Sequence, residues 1–155
     1  MKAIHWIIAA VALAFVQPVQ AAQSDPEVII YRFPGVTDSG DLINSGVATV
    51  FHCTNFSGGT ENIRFVTRNS GGALVSNEMS GMIHLATITA STHLTSAYSD
   101  LLNLHTGSVS QGTAAIAATS INIICTAETI DASTAVPIGV ARRGIRFSPV
   151  PGSQE

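Results

Sequence analysis

Three arginines, Arg142, Arg143 and Arg146, form the only basic cluster of the chain. Guanidinium groups bind carboxylate, sulfate or phosphate oxygens through paired N–H donors. The cluster is therefore a candidate site for an anionic partner, such as a surface polysaccharide or phosphate. The same charges on an edge strand or turn would discourage sheet edges from pairing. Cys53 and Cys125 are the chain's 2 Cys. An even count in an exported chain reads as a disulfide, and no CxxC spacing points to metal-binding or redox thiols. His52, His84, His93 and His105 form no HxH, no HExxH and no Cys/His cluster of ligand spacing, so no metal site is expected. His84 and His93 would meet only on neighbouring strands, where Asp41 or Asp100 could join them. The acids Asp38, Asp41, Glu61, Asp100 and Asp131 stand near turn residues. They are expected in solvated loops rather than as a catalytic carboxylate pair. The glycine pairs sit in turns between strands and not before a helix, so no phosphate cradle and no cofactor are expected.

One pattern resembles the chymotrypsin-like serine proteases. His52-Cys53 is similar to the pair around their catalytic histidine, and Asn69-Ser70-Gly71-Gly72-Ala73-Leu74-Val75 is similar to the stretch around their nucleophile. The resemblance implies a Ser70/His52 pair. The organisation of the chain opposes it. That family sets His and Ser far apart with an Asp between them. Here Glu61 is the sole acid between His52 and Ser70, and Arg68 replaces the family's glycine two residues before the serine. Asn-Ser-Gly-Gly also has a simpler use as a hairpin turn, since Asn and Gly tolerate positive φ. No catalytic residue is assigned.

The elements that must position these residues read as strands. Thr, Ser, Val, Ile, Ala and Gly dominate, and strong helix formers are scarce. Turn signals recur at short intervals from Pro34-Gly35 to Gln111-Gly112, which suggests a sandwich or barrel. The pattern predicts strands over Val28 to Phe33, Val47 to Asn55, Ile63 to Arg68, Ala73 to Asn77 and Met82 to Ala90. It adds Ala114 to Ala118, Ser120 to Ile130, Val136 to Val140 and Gly144 to Phe147. Thr92 to Leu104 holds either a strand and a loop or one helical turn. Both cysteines fall on the more apolar side of their strands. This suits a bridge buried between two packed sheets and resembles the immunoglobulin-like arrangement. That family's core Trp is absent, and Phe65 is the side chain offered for its space. Its Tyr two residues before the second Cys is Ile123 here. The predicted fold is an all-β, two-sheet antiparallel sandwich with one disulfide, Cys53–Cys125.

The amino terminus has the order of an export signal. Lys2 supplies positive charge, Ile7 to Val16 are uncharged and apolar, and Val19-Gln20-Ala21 offers small residues at a cleavage point. Residues 1–21 are expected to be removed, leaving 22–155 as one domain, secreted or periplasmic, with no membrane span. Lys+Arg total 7 and Lys2 is the only lysine, which leaves six Arg against ten Asp and Glu, a net charge of −4. That balance opposes nucleic-acid binding, and the lack of Lys excludes Schiff-base chemistry. Asn55-Phe56-Ser57 is a formal N-glycosylation sequon. The expected role is non-enzymatic: a binding, adhesive or structural module with a protein or glycan partner. A fimbrial-type subunit that joins by strand addition falls within this class. The alternative is a small secreted hydrolase or inhibitor whose site is built from loops, best placed between Pro34 and Gly46.

Overall fold

A computed structural model describes residues 26–40, 43–99 and 101–146. The expected signal peptide, Asp41, Asp100 and Phe147 lie outside the described residues. Ten strands follow one another: β1 (Val28–Asp38), β2 (Val47–Asn55), β3 (Glu61–Arg68), β4 (Leu74–Met82), β5 (Thr87–Ser91), β6 (Leu102–Asn103), β7 (Val109–Ala118), β8 (Ile123–Asp131), β9 (Gly139–Arg142) and β10 (Ile145–Arg146). They form two sheets of five, in the orders β10-β1-β7-β3-β4 and β6-β5-β2-β8-β9. All pairings are antiparallel except the short β5–β6 ladder. The fold is the predicted two-sheet sandwich.

Alternation explains which side chains meet. Phe51 and Cys53 of β2 face Ile63 and Phe65 of β3 across the core, with Ala114, Ile116 and Ala118 of β7 beside them. Phe33, Phe51 and Phe65 form a ring contact chain, at centroid distances of 5.5 and 6.0 Å. Phe65 thus occupies the core, as its position suggested. The Asn69 hairpin is also as expected. Asn69 N donates to Ala73 O at 3.0 Å, and Gly72 takes φ 82.

The disulfide joins Cys53 to Cys125 but does not cross between the sheets. The two residues are direct partners on neighbouring strands β2 and β8, with Cα atoms 4.1 Å apart. Core-facing parity is compatible with either arrangement, so parity alone did not separate them. The immunoglobulin-like version of the sandwich, with its bridge between facing sheets, is overturned by this register.

Pro34 does not end β1. The ladder with β7 continues to Asp38↔Val109, with a register shift between Pro34 and Val36. Gly35 takes φ 77 and supplies the bulge that a residue with a side chain would resist. β10 pairs only with Tyr31 and Arg32, so beyond them β1 is an edge strand, where proline is tolerated. The predicted Pro34–Gly46 loop therefore loses its first five residues to a strand. The predicted Met82–Ala90 strand divides instead: Met82 closes β4, residues 83–86 turn, and β5 starts at Thr87. The segment after β5 has no helical turn among its described residues. It crosses the outer face of the second sheet, where Tyr98 lies edge-on to His52 at 4.9 Å.

Candidate functional site

The arginines are distributed over two edges. Arg142 ends β9 on the second sheet and donates from Nε to Thr129 Oγ1 at 2.6 Å. The chain then crosses to the first sheet at Arg143 and Gly144. A Cβ at Gly144 would lie 2.3 Å from a Phe33 ring carbon, so only glycine fits the crossing. Arg146 sits on β10, with its guanidinium 5.8 Å from the Tyr31 ring centroid and donating to Ile121 O. Edge strands carry Arg142 and Arg146. Arg143 is exposed between them.

The histidines are separated by the fold. His84 precedes β5 and His93 follows it, so the two stand at opposite ends of the strand. His84 Nδ1 accepts from Gly58 N at 3.1 Å. His52 Nδ1 meets Thr89 Oγ1 at 3.0 Å, and its Nε2 lies 3.5 Å from Glu128 Oε1. Tyr98 donates to the same Glu128 oxygen at 2.7 Å. Partial burial and this bond to Glu128 push the Tyr98 hydroxyl up to about 12. Among the described residues no three His, Cys, Asp or Glu side chains gather as a metal site would require. Ser70 lies exposed on the β3–β4 turn, in the other sheet from His52.

Two acids expected in solvated loops are buried instead. Asp38 Oδ1 accepts from Gly40 N at 2.6 Å and lies 2.8 Å from His93 Nδ1. Its Oδ2 accepts from Thr106 Oγ1 at 2.7 Å. His93 Nε2 lies 3.0 Å from Ser45 O. This cluster ties β1, the following loop and the segment after β5 into one closed end. A shallow cleft of about 240 Å³ opens beside it, lined by Ile43, His93, His105 and Gly107. Both His93 nitrogens are engaged, so the ring has none free to serve as a general base. Glu61, at the opposite end, is fully buried and accepts from Thr119 Oγ1.

That opposite end carries the feature sequence reasoning missed. Three loops meet there: 56–60 after β2, 83–86 after β4, and 119–122 after β7. Each turns a large apolar side chain outward. Phe56 is 49% exposed, Ile83 65%, Leu85 63% and Ile121 48%. Ile124, on the outer face of β8 beside Thr54, adds another. Leu85 holds φ 64, a left-handed conformation that is costly for a leucine. It is fixed by Leu85 N donating to Asn55 O at 2.7 Å and Ala86 N to Ile83 O at 3.1 Å. Phe56 N donates to Asn122 O at 2.9 Å and binds the first loop to the third.

Asn55 organises this end from within. It is 0% exposed, and its amide donates to Gly59 O and Met82 O, both at 2.9 Å. Its Oδ1 accepts from Ser57 N at 2.8 Å. The sequon is therefore closed in the folded domain: the nitrogen that would carry a glycan is buried and doubly bonded. A second apolar surface borders β9. A cleft of about 540 Å³ there is lined by Val47, Ile130, Ile138 and Val140.

The chain matches no protein-family model, and no curated protein or solved structure gives a significant match to it.

Proposed function

We propose that this chain is an exported, non-enzymatic binding module of the cell envelope or extracellular space. Its contact surface is the end formed by loops 56–60, 83–86 and 119–122. One observation carries this reading. Phe56, Ile83, Leu85 and Ile121 are turned outward on loops that the backbone holds in place. Scattered exposed apolar residues are ordinary, but their concentration at one end marks an interaction surface. The strained Leu85 supports the same view, since backbone strain collects at sites where a side chain must be presented. The disulfide and the absence of a membrane-length apolar helix among the described residues are compatible with an extracellular setting.

Cell fractionation with amino-terminal sequencing of the recovered protein tests this. The expected result is a chain beginning at Ala22 in the periplasmic, envelope or extracellular fraction, with its retention on a partner lowered by Phe56→Ser with Leu85→Asn. A cytoplasmic protein beginning at Met1, or retention indifferent to those changes, would overturn it.

A further inference from the structure

We infer that the partner of the three-loop end is an anionic lipid surface, an inference that rests on the contact-surface reading above. Three properties of this end converge. The first is apolar projection. Phe56, Ile83, Leu85 and Ile121 stand on three neighbouring loops at the same end of the sandwich, Ile83 and Leu85 on the same one. A yielding acyl boundary can close round each tip, and aromatic and aliphatic residues favour that depth.

The second is internal bonding of the loop backbones. N–H and C=O groups that enter a membrane boundary must have partners, because water there is scarce. The loops meet part of this need internally. Asn55 N donates to Ala86 O, Phe56 N to Asn122 O, Leu85 N to Asn55 O and Ala86 N to Ile83 O. Side chains add to these bonds: Ser57 N bonds to Asn55 Oδ1, Gly58 N to His84 Nδ1, Gly59 N to Ser57 Oγ and Asn122 N to Ser120 Oγ.

The third is charge. The chain as a whole is acidic, with a net charge of −3. Yet residues 55–60, 83–86 and 119–122 contain no Asp, Glu, Lys or Arg. Glu61 at their base is buried, and Glu27 on this side is neutralised by Arg64 at 2.6 Å. Cations stand on the flank instead. Arg146 is held against Ile121 O, and Arg143 is exposed at the neighbouring crossing. An apolar tip with a basic flank complements anionic headgroups over an acyl layer. This gives Arg146, with Arg143 near it, a role beside the loops; Arg142 is held by Thr129 elsewhere.

A single-tryptophan reporter tests the proposal. The chain has 1 Trp, Trp6. In a Trp6→Phe background, Phe56→Trp reads insertion at that loop alone, whatever the amino-terminal segment does. The probes are vesicles of phosphatidylcholine, with and without phosphatidylglycerol. The expected result is a blue shift of emission on the mixed vesicles, weaker on phosphatidylcholine. Leu85→Asn suits the left-handed backbone and removes the apolar group, so it should weaken binding about tenfold without unfolding. Arg146→Gln should weaken binding to the mixed vesicles alone. Emission unchanged by either vesicle overturns the lipid assignment. If emission is unchanged while Leu85→Asn still releases the protein from an envelope partner, only the lipid assignment falls. If Leu85→Asn alters neither, the contact-surface reading falls with it. Binding of dextran sulfate in place of vesicles, lost with Arg146→Gln and kept with Leu85→Asn, would assign the arginines to a glycan and overturn the proposal.

Discussion

The two ends of this sandwich solve opposite problems. At one end Asp38, His93, Thr106 and the backbone of Gly40 and Ser45 satisfy one another. At the other, Asn55 bonds the backbone of Ser57, Gly59 and Met82 from within while Phe56, Ile83, Leu85 and Ile121 are left facing outward. The polar end uses its chemistry on itself. The apolar end hides its polar groups and offers hydrocarbon. A buried acid–histidine pair looks more like a functional site on first inspection. Its completeness argues that it is structural. The loops that present hydrocarbon here carry almost no titratable chemistry, and the apolar cleft beside β9 adds a second such surface toward the polar end.

Four measurements sharpen or break this contrast, beginning with the largest effect. Asp38→Ala leaves His93, Thr106 and Gly40 N without their shared acceptor in a buried site. It should lower unfolding free energy by about 3–5 kcal/mol in urea titration. A loss near zero would mean that the polar end is not structural. Next is the bridge between β2 and β8, the strands that run from one end to the other. Replacing Cys53 and Cys125 together by Ala should cost about 2–4 kcal/mol, partly by releasing the unfolded chain from a 72-residue loop.

The third measurement concerns Tyr98, which pins the crossing segment to the second sheet. Its hydroxyl is raised from an ordinary value near 10 to about 12. The folded state therefore keeps a proton that the unfolded state loses between those values. Stability from this group is complete below about pH 10 and is lost as pH rises through about 12. Tyr98→Phe should remove that alkaline slope, read by thermal unfolding across this range. An unchanged slope would detach Tyr98 from Glu128. The smallest expected effect on stability belongs to the apolar end. Phe56→Ser with Leu85→Asn should shift unfolding by no more than about 0.5 kcal/mol, since the side chains already face solvent and Asn accepts the Leu85 backbone. A large loss would show that these residues serve the core.

Much of the scaffold was legible in the chain, and the distribution of what was not is instructive. β2 runs over Val47–Asn55 as its alternation predicts, and the disulfide partners follow from their number and parity. Pro34-Gly35 misled, because the same dipeptide that signals a turn also builds a bulge at a sheet edge. Asp38 and Glu61 were misplaced because burial of an acid depends on distant partners, Thr106 and Thr119, that no local pattern reveals. The apolar end was hidden in plain runs. Ile83 and Leu85 read as part of one long strand, and Ile121 as the start of another. A strand's alternating side chains and a loop's outward side chains have the same composition, and the left-handed Leu85 leaves no mark in sequence. The arginines were visible from the start; the place of Arg146 against Ile121 was not.

The proposed contact surface is the three-loop end and not the apolar cleft beside β9. Retention of the native protein in its own cell fraction, compared between Phe56→Ser/Leu85→Asn and Ile138→Ser/Val140→Ser, tests it most directly. The expected result is release of the first double variant and normal retention of the second. Retention of the first with release of the second would contradict it.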